Sequence, residues 1–252
     1  MTVSIEHIAK HVALVEFAEP PHNFFDPQMI WEIYQAFKKL GQDGQTRAIV
    51  LASPGKHFCA GANFRKSRPE EDAEPIPHLY DIGVAIMEQP LPVVAALQGS
   101  VVGGGLGMAL AADFRVGTPE TRMTANFARI GFHHGFGLTA TLPRIVGHQK
   151  ATELLYTGRD VMGEEAFEIG LIDQLSTTEQ VRADAIAKAT ELARSAPLAL
   201  RSIRATMRRS LVAEFREAVY RELAEQDRLR GTGDFKLGVQ AKRGELPDFQ
   251  GN

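Results

Sequence analysis

The fold is decided by residues 98–113, which read QGSVVGGGLGMALAAD. They follow an apolar run at residues 91–97 that is typical of a buried strand. The glycines allow the backbone to come close to a ligand, and the small residues after them suit a closely packed helix. The first amides of such a helix have no partner within it, and the helix dipole favours negative charge there. This stretch therefore predicts a strand–turn–helix unit whose backbone amides stabilise an anion.

A strand–helix–strand pattern precedes this unit. Residues 3–17 alternate between apolar and polar positions and predict two short strands joined by a turn. Asp26 and Pro27 supply an N-cap and a first helical residue, and apolar residues then recur at helical spacing up to Leu40. Residues 48–52 form a short apolar strand. Strands that alternate with helices in this way predict parallel pairing through right-handed crossovers.

The second half of the chain is predicted to be mostly helical. Past residue 113 the predicted strands are residues 114–117 and 122–126, followed by a glycine-rich loop at 130–137. The predicted helices are residues 79–87, 150–156, 163–169, 178–195, 198–209 and 211–230. We therefore divide the chain into an α/β core at residues 1–195 and a helical C-terminal region at residues 196–252.

Composition places the chain among ordinary globular proteins. Of its 252 residues, 44% are hydrophobic and 23% are charged, and the formal net charge is -3. That balance gives no reason to expect nucleic acid or an anionic membrane surface as a partner. The single cysteine, Cys59, excludes an internal disulfide. The N-terminus lacks the features of a signal peptide and no apolar stretch reaches the ~20 residues of a membrane span, so a cytoplasmic location is expected.

A second turn of small residues follows another strand. It reads FCAGAN at residues 58–63 and comes after the strand at 48–52. Two such turns can offer two backbone N–H groups to one oxygen, which is the arrangement of an oxyanion hole. One donor of this kind contributes roughly 3–4 kcal/mol to the stabilisation of a transition state. The pattern therefore predicts that the two turns act on one substrate oxygen.

These turns resemble those of the crotonase (enoyl-CoA hydratase/isomerase) superfamily. The resemblance is carried by FCAGAN at 58–63 and by PVVAA at 92–96, running through GGG at 103–105 to Asp113. Supporting matches are PRIVG at 143–147, LYTGR at 155–159, Ala166 with GLI at 170–172, and QAKR at 240–243. The resemblance implies an α/β fold, a crotonase-like spiral of ββα repeats, with a helical C-terminal region that forms a homotrimer or a dimer of trimers.

The same resemblance implies an acyl-CoA thioester as substrate, with coenzyme A as part of it and with no metal or separate cofactor. The thioester oxygen would accept hydrogen bonds from the N–H groups of Ala62 and Gly104, which would stabilise an enolate. Other positions match family contacts to CoA, namely Ala60 at the adenine, His22 and Arg65 at the phosphates, and Lys242 near a neighbouring subunit's CoA.

The sequence departs from the family pattern at the acid and base. Hydratases of the family use two glutamates around one water, and the matching positions here are Gly107 and Phe127. Neither glycine nor phenylalanine transfers a proton. Where some isomerases and dehalogenases place an aspartate, this chain has Gly135. We therefore predict a lyase or isomerase of acyl-CoA thioesters that does not use the two-glutamate hydration.

The titratable side chains of the glycine-rich loop are His133 and His134. The pKa of histidine lies near neutrality and suits acid–base chemistry. His134 lies near a position where family decarboxylases carry a tyrosine, so we predict His134 as a catalytic proton donor and His133 as a binding residue. The alternative is a loop histidine held by backbone partners. Phe127 is predicted to form an apolar wall for a hydrophobic or aromatic acyl group, or else to belong to the core.

Other functions fit parts of the sequence. One is a thioester decarboxylase or hydrolase that uses His134, and another is a non-catalytic acyl-CoA-binding protein. A carbon–carbon hydrolase of β-diketones is disfavoured by the intact glycine triplet and by Arg65. A dinucleotide site is disfavoured because residues 106–108 break the required glycine spacing. At Cys59 we expect a small buried residue rather than a nucleophile.

Overall fold

The centre of the fold is a sheet whose inner strands run parallel. The computed structural model describes residues 2–62, 76–241 and 245–252. The strands in these ranges are β1 (Thr2–Ala9), β2 (Val12–Ala18), β3 (Ala48–Ala52), β4 (Val93–Leu97), β5 (Ser100–Val102), β6 (Phe114–Gly117), β7 (Arg122–Thr124), β8 (Val161–Met162) and β9 (Gln174–Leu175). One sheet has the order β1-β2-β3-β4-β6-β9, with β1 antiparallel to β2 and the other pairs parallel. Strands β5, β7 and β8 form a second sheet.

Helices cover the main sheet and form most of the C-terminal half. Those in the described ranges are α1 (Pro27–Gln42), α2 (Leu79–Glu88), α3 (Gly104–Ala111), α4 (Leu138–Val146), α5 (His148–Thr157), α6 (Gly163–Glu168), α7 (Val181–Ala193), α8 (Pro197–Arg230) and α9 (Gly233–Gln240). A 3-10 helix spans Asn126–Ile130. The predicted N-cap of α1 is confirmed, because the Asp26 carboxylate accepts a hydrogen bond from the N–H of Gln28. None of the helices described here is long and apolar enough to cross a membrane.

The strands β3 and β4 are buried along their whole length. Successive side chains of a strand point to opposite faces of the sheet. Ile49 and Leu51 therefore pack into the main core with α1, while Val50 packs on the other face with Ala185 and Ala189 of α7. Burial on both faces is typical of parallel strands flanked by helices, and it explains why these strands are continuous apolar runs.

The C-terminal region corrects one prediction. The sequence predicts separate helices at 198–209 and 211–230, whereas the structure has a single helix, α8, of 34 residues. Ser210 lowers helix propensity only slightly, and no glycine or proline interrupts the segment. The side chains of Phe215 and Val219 are fully buried in the main core. The start of α8 lies close to the proposed boundary at residue 195, and the division into two domains remains a prediction.

Asp113 joins α8 to the end of the stretch that decides the fold. Its carboxylate accepts hydrogen bonds from the N–H of Val93 at 2.8 Å and from Nε of both Arg204 and Arg208 at 2.9 Å. Arg208 also donates to the carbonyl of Ala111, the last residue of α3, at 2.7 Å. Burial lowers the pKa of Arg208 to about 10, and the charge of Asp113 opposes that shift. The network fixes α3 relative to β4.

Candidate active site

The two small-residue turns lie side by side because the segments before them are hydrogen-bonded. The N–H of Cys59 donates to the carbonyl of Ser100 at 3.0 Å, and the N–H of Val102 donates to the carbonyl of Cys59 at 2.9 Å. Cys59 and Val101 are thereby partners in a parallel bridge. The two turns leave this bridge in the same direction.

Ala62 and Gly104 each lie three residues beyond that bridge. Gly104 is the first residue of α3, so its N–H has no acceptor within the helix. The preceding N–H, that of Gly103, donates instead to the carbonyl of Thr124 at 2.9 Å. Both turns line one cavity of about 350 Å³. The fold therefore brings the two residues predicted as oxyanion donors to the same cavity.

Glycine at position 104 is required by close packing. A Cβ on Gly104 would lie 2.8 Å from ring atoms of Phe25, well inside van der Waals contact. The N–H of Phe25 donates to the carbonyl of Gly61 at 2.8 Å, so the segment that carries this ring is attached to the first turn. Phe25 thus contacts both turns and holds the N-terminus of α3 against the cavity.

Cys59 is a packing residue, as predicted. Its side chain is fully buried, and its Sγ lies against α3, 2.6 Å from the place where a Cβ on Gly105 would stand. Burial raises the pKa of the Cys59 thiol to about 12. A thiol with that pKa is protonated at neutral pH and is a poor nucleophile.

The positions predicted to match the family glutamates are Gly107 and Phe127. A Cβ on Gly107 would lie 2.9 Å from Cβ and 3.0 Å from the carbonyl oxygen of Phe136, so the space for a side chain is occupied by another backbone segment. Phe127 is buried and also lines the cavity. Its ring lies 3.5 Å from where a Cβ on Gly103 would stand. Phe127 therefore belongs to the core and to the cavity wall at once.

His134 packs edge-on against Phe127, with 5.3 Å between the ring centroids, and the cavity lining among the described residues does not include it. Its Nε2–H donates to the carbonyl of Leu155 at 2.9 Å, and the buried Nδ1 has no hydrogen-bond partner in the described ranges. Burial lowers the pKa of His134 to about 4. This arrangement favours a loop histidine held by the backbone and gives no support to a proton donor. Nδ1 of His133 lies 2.9 Å from the carbonyl oxygen of His134, and His133 also lies outside this lining.

The predicted CoA contacts are only partly described. Ala60 lines the cavity, and its N–H donates to the carbonyl of His22 at 3.1 Å. The side chain of His22 is exposed and stacks on His57 with 5.9 Å between centroids. Arg65 and Lys242 lie outside the described residues. The structure thus places His22 and Ala60 next to each other, beside the first turn.

Two buried polar residues of α8 hold the glycine-rich loop, and neither is among the residues predicted from the sequence. Glu222 accepts hydrogen bonds from the N–H of Gly137 at 2.8 Å and from the N–H and hydroxyl of Thr139 at 3.1 and 2.7 Å. Burial raises the pKa of Glu222. Gln226 donates to two carbonyl oxygens of the loop, both at 3.1 Å. The signal in the sequence is that both residues share the helix face of Val219, at intervals of three and four residues.

Charged residues also line the cavity, and these too are not among the residues predicted from the sequence. Arg122 forms an ion pair with Asp160 at 2.8 Å. Nε of Arg129 donates to the carbonyl of Thr157 at 2.6 Å. Among the described residues, no cluster of histidine, cysteine, aspartate and glutamate is suited to hold a metal ion. The described lining therefore offers backbone amides, two guanidinium groups, the carboxylates of Asp160 and Glu245, the polar side chains of Thr124 and Asn126, and apolar walls.

Comparison with known proteins gives matches along nearly the whole chain. A family model described as enoyl-CoA hydratase/isomerase matches residues 7–252. The chain is 33% identical over 250 residues to the probable enoyl-CoA hydratase EchA14 of Mycobacterium tuberculosis, which covers 96% of this chain and 92% of that protein. It superposes on an enoyl-CoA hydratase/isomerase from Pseudoalteromonas atlantica with a TM-score of 0.87 at 22% identity, covering 95% of each chain. It also superposes on the ECH2 decarboxylase domain of CurF from Lyngbya majuscula, with a TM-score of 0.81 at 25% identity, covering 94% of this chain and 98% of that one.

Proposed function

Because the chain belongs to the enoyl-CoA hydratase/isomerase family and has its crotonase fold, we propose that it is an acyl-CoA thioester enzyme that stabilises an enolate without two-glutamate hydration. The thioester oxygen would accept hydrogen bonds from the N–H groups of Ala62 and Gly104. An enolate carries more negative charge on this oxygen than the thioester does, so donors fixed in place stabilise the enolate more than the substrate.

The observation that carries this proposal is the packing of Gly107 against Phe136. A glutamate at position 107 would have to displace the backbone of the glycine-rich loop. At the second position the ring of Phe127 supplies an apolar surface and no proton acceptor. Hydration needs a group that takes a proton from water, and neither position offers one.

Decarboxylation of a thioester is a second candidate, favoured by the state of His134 and of Asp160. Loss of carbon dioxide breaks the bond to the α-carbon and leaves the electron pair as the enolate, so no base is needed to form it, and the enolate carbon then takes a proton from water. His134 is neutral and bonded to a carbonyl, and the carboxylate of Asp160 is paired with Arg122. The similarity to a solved decarboxylase domain points in the same direction.

The proposed function is tested with a panel of thioesters in D₂O. The panel contains saturated, α,β-unsaturated and 2-carboxy acyl-CoA thioesters with short, branched and aromatic acyl groups, and mass spectrometry follows each of them. We expect deuterium incorporation at the α-carbon, movement of a double bond or loss of carbon dioxide, without addition of water. Rapid hydration of crotonyl-CoA would overturn the proposal, and binding of thioesters without any conversion would favour a non-catalytic acyl-CoA-binding protein.

We further propose that the protein is a homotrimer or a dimer of trimers formed through α8. Leu198, Ile203 and Met207 of that helix are 80%, 59% and 73% exposed in the single chain, although their side chains are apolar. Residues with such exposure on one helix favour a subunit interface. Light scattering coupled to size-exclusion chromatography measures the mass directly. A monomer at micromolar concentration would contradict this assembly.

A further inference from the structure

Arg129 is held in one orientation while most of its guanidinium is left without a protein acceptor. Its Nε donates to the carbonyl of Thr157 at 2.6 Å. Within the described ranges, its two terminal nitrogens have no hydrogen bond or ion pair, and the side chain lines the cavity that contains both turns. A guanidinium that is fixed at Nε presents its remaining donors as a planar fork.

The 3-10 helix that carries Arg129 gives the cavity a polar edge and an apolar edge. In a 3-10 helix, side chains three residues apart eclipse one another. Asn126 therefore shares a side with Arg129, and Phe127 shares a side with Ile130, and all four line the cavity. The Oδ1 atom of Asn126 lies 3.9 Å from where a Cβ on Gly103 would stand. The polar edge thus begins beside the second turn and leads to Arg129.

The described lining contains three other charged residues, Arg122, Asp160 and Glu245. Arg122 is paired with Asp160 at 2.8 Å and also donates to the hydroxyl of Ser100 at 3.2 Å. Glu245 lies at the exposed rim. No described carboxylate forms an ion pair with Arg129. Among the charged residues of the described lining, Arg129 is therefore a guanidinium that has no ion-pair partner in the described ranges and that a ligand carboxylate can contact.

We propose that Arg129, assisted by Asn126, binds a carboxylate at the distal end of the acyl group, so that the substrates are CoA monothioesters of dicarboxylic acids. This inference rests on the proposed function, because it places the thioester oxygen at Ala62 and Gly104. A guanidinium fork binds a carboxylate through two parallel charge-assisted hydrogen bonds. The apolar edge formed by Phe127 and Ile130 would contact the methylene groups between the thioester and the carboxylate.

The phosphates of CoA fit this position less well. The whole pantetheine arm separates them from the thioester sulfur, whereas Arg129 lines the same cavity of about 350 Å³ as the two turns. Ala60, the predicted adenine contact, lines the same cavity, so a CoA phosphate is the competing ligand that the experiment must separate from an acyl carboxylate. We place the anion on the acyl group because Arg129 lies in the lining that contains both turns.

Binding of glutaryl-CoA and valeryl-CoA, measured by isothermal titration calorimetry at one ionic strength, tests the inference. The two thioesters have five-carbon acyl groups and differ in the terminal carboxylate. We expect glutaryl-CoA to bind the wild-type protein about 10- to 100-fold more tightly, as charge-assisted hydrogen bonds would give. Arg129→Gln should abolish that preference by weakening glutaryl-CoA alone, and Arg129→Lys should retain part of it. The matched control is Arg221→Gln, since the side chain of Arg221 is 73% exposed and lies outside the cavity lining.

The outcomes separate the inference from the proposed function. If neither thioester binds, both fail. If both bind the wild-type protein equally, the dicarboxylate inference fails and the proposed function stands. If Arg129→Gln weakens free CoA as much as glutaryl-CoA, Arg129 binds a phosphate and the inference is wrong. Arg129→Gln removes the donor to the carbonyl of Thr157 and could unfold the protein. In that case the preference of the wild-type protein for glutaryl-CoA over valeryl-CoA, and its reduction in Arg129→Lys, still test the inference.

Discussion

The carbonyl oxygen of Phe136 lies 3.0 Å from the place where a Cβ on Gly107 would stand. Phe136 has a φ of 55°, in the left-handed region that bulky residues rarely adopt. Its ring is held in edge-on contacts by Phe25 at 5.2 Å and by Phe215 at 6.1 Å between centroids. The ring of Phe25 that contacts Phe136 also packs on Gly104. The loop that occupies the space beside position 107 and the turn that carries the proposed oxyanion donor are therefore held by one aromatic cluster.

Gly107→Glu should fail to create a hydratase and should destabilise the protein. The new side chain must displace the Phe136 backbone, so we expect a loss of about 3 kcal/mol or more in the free energy of unfolding. Urea denaturation measures the loss, and an assay with crotonyl-CoA measures hydration. Gly231→Glu is the control, because a Cβ there meets no atom within 4 Å. A stable Gly107→Glu variant that hydrates crotonyl-CoA would contradict the packing argument.

The N–H of Gly104 can be removed without removing the helix. Proline is tolerated at the first position of a helix, where its missing N–H has no intrahelical acceptor. Gly104→Pro and Gly104→Ala both place a Cβ against Phe25, and only the proline lacks the N–H. We expect turnover of whichever thioester the panel identifies to fall about 10²- to 10³-fold further in Gly104→Pro than in Gly104→Ala.

Both variants are made in a Phe25→Leu background to relieve the contact at 2.8 Å. Steady-state kinetics and thioester binding are measured for each pair. Equal turnover of the proline and alanine variants would mean that the N–H of Gly104 does not act on the thioester oxygen.

Features with a local cause are predictable from the sequence. Strand β3 begins and ends at the predicted residues. Helix α1 begins at the predicted Pro27 because the adjacent residue, Asp26, caps it. Helix α4 is missed because its first N–H groups are capped by Glu222, 85 residues beyond Gly137. Strands β8 and β9 have two residues each and exist only through pairing with distant strands.

The same distinction applies to the site. The two turns are local motifs and are predicted from the sequence, and the structure places Ala62 and Gly104 at one cavity, while their role as oxyanion donors stays a prediction from the family resemblance. The surroundings of His134 and Arg129 depend on Leu155 and Thr157, which approach only in the folded chain. A histidine or an arginine in a glycine-rich segment therefore gives no sequence signal for what its nitrogens contact.

Glu222→Ala should loosen the glycine-rich loop from α8. The substitution removes the carboxylate that accepts three hydrogen bonds, so the N–H of Gly137 and the N–H and hydroxyl of Thr139 lose their acceptor. We expect a loss of about 3 kcal/mol in the free energy of unfolding. Glu222→Gln keeps the shape and one acceptor oxygen and should lose less. Glu217→Ala, at an exposed position of the same helix, is the control. Unchanged stability of Glu222→Ala would show that the loop does not depend on α8.

His134 should make the protein less stable as the pH falls from about 6.5 to 4. Burial lowers the pKa of His134 from 6.5 to about 4 in the folded chain, so between these values the unfolded chain binds a proton that the folded chain does not. Above the unfolded-state pKa of 6.5, His134 is neutral in both states and does not lower the free energy of unfolding. As the pH falls from 6.5 towards the folded-state pKa of about 4, this free energy decreases. The shift corresponds to about 3 kcal/mol.

His134→Gln removes the titrating group and can keep a donor near the carbonyl of Leu155. Its free energy of unfolding, measured by urea denaturation at several pH values across this window, should fall less steeply than that of the wild-type protein. His148→Gln serves as the control, since His148 is exposed and its removal should leave the slope unchanged. Parallel curves for His134→Gln and the wild-type protein would mean that His134 titrates at its ordinary pKa in the folded chain. It would then have to contact solvent, which would reopen its role as a proton donor.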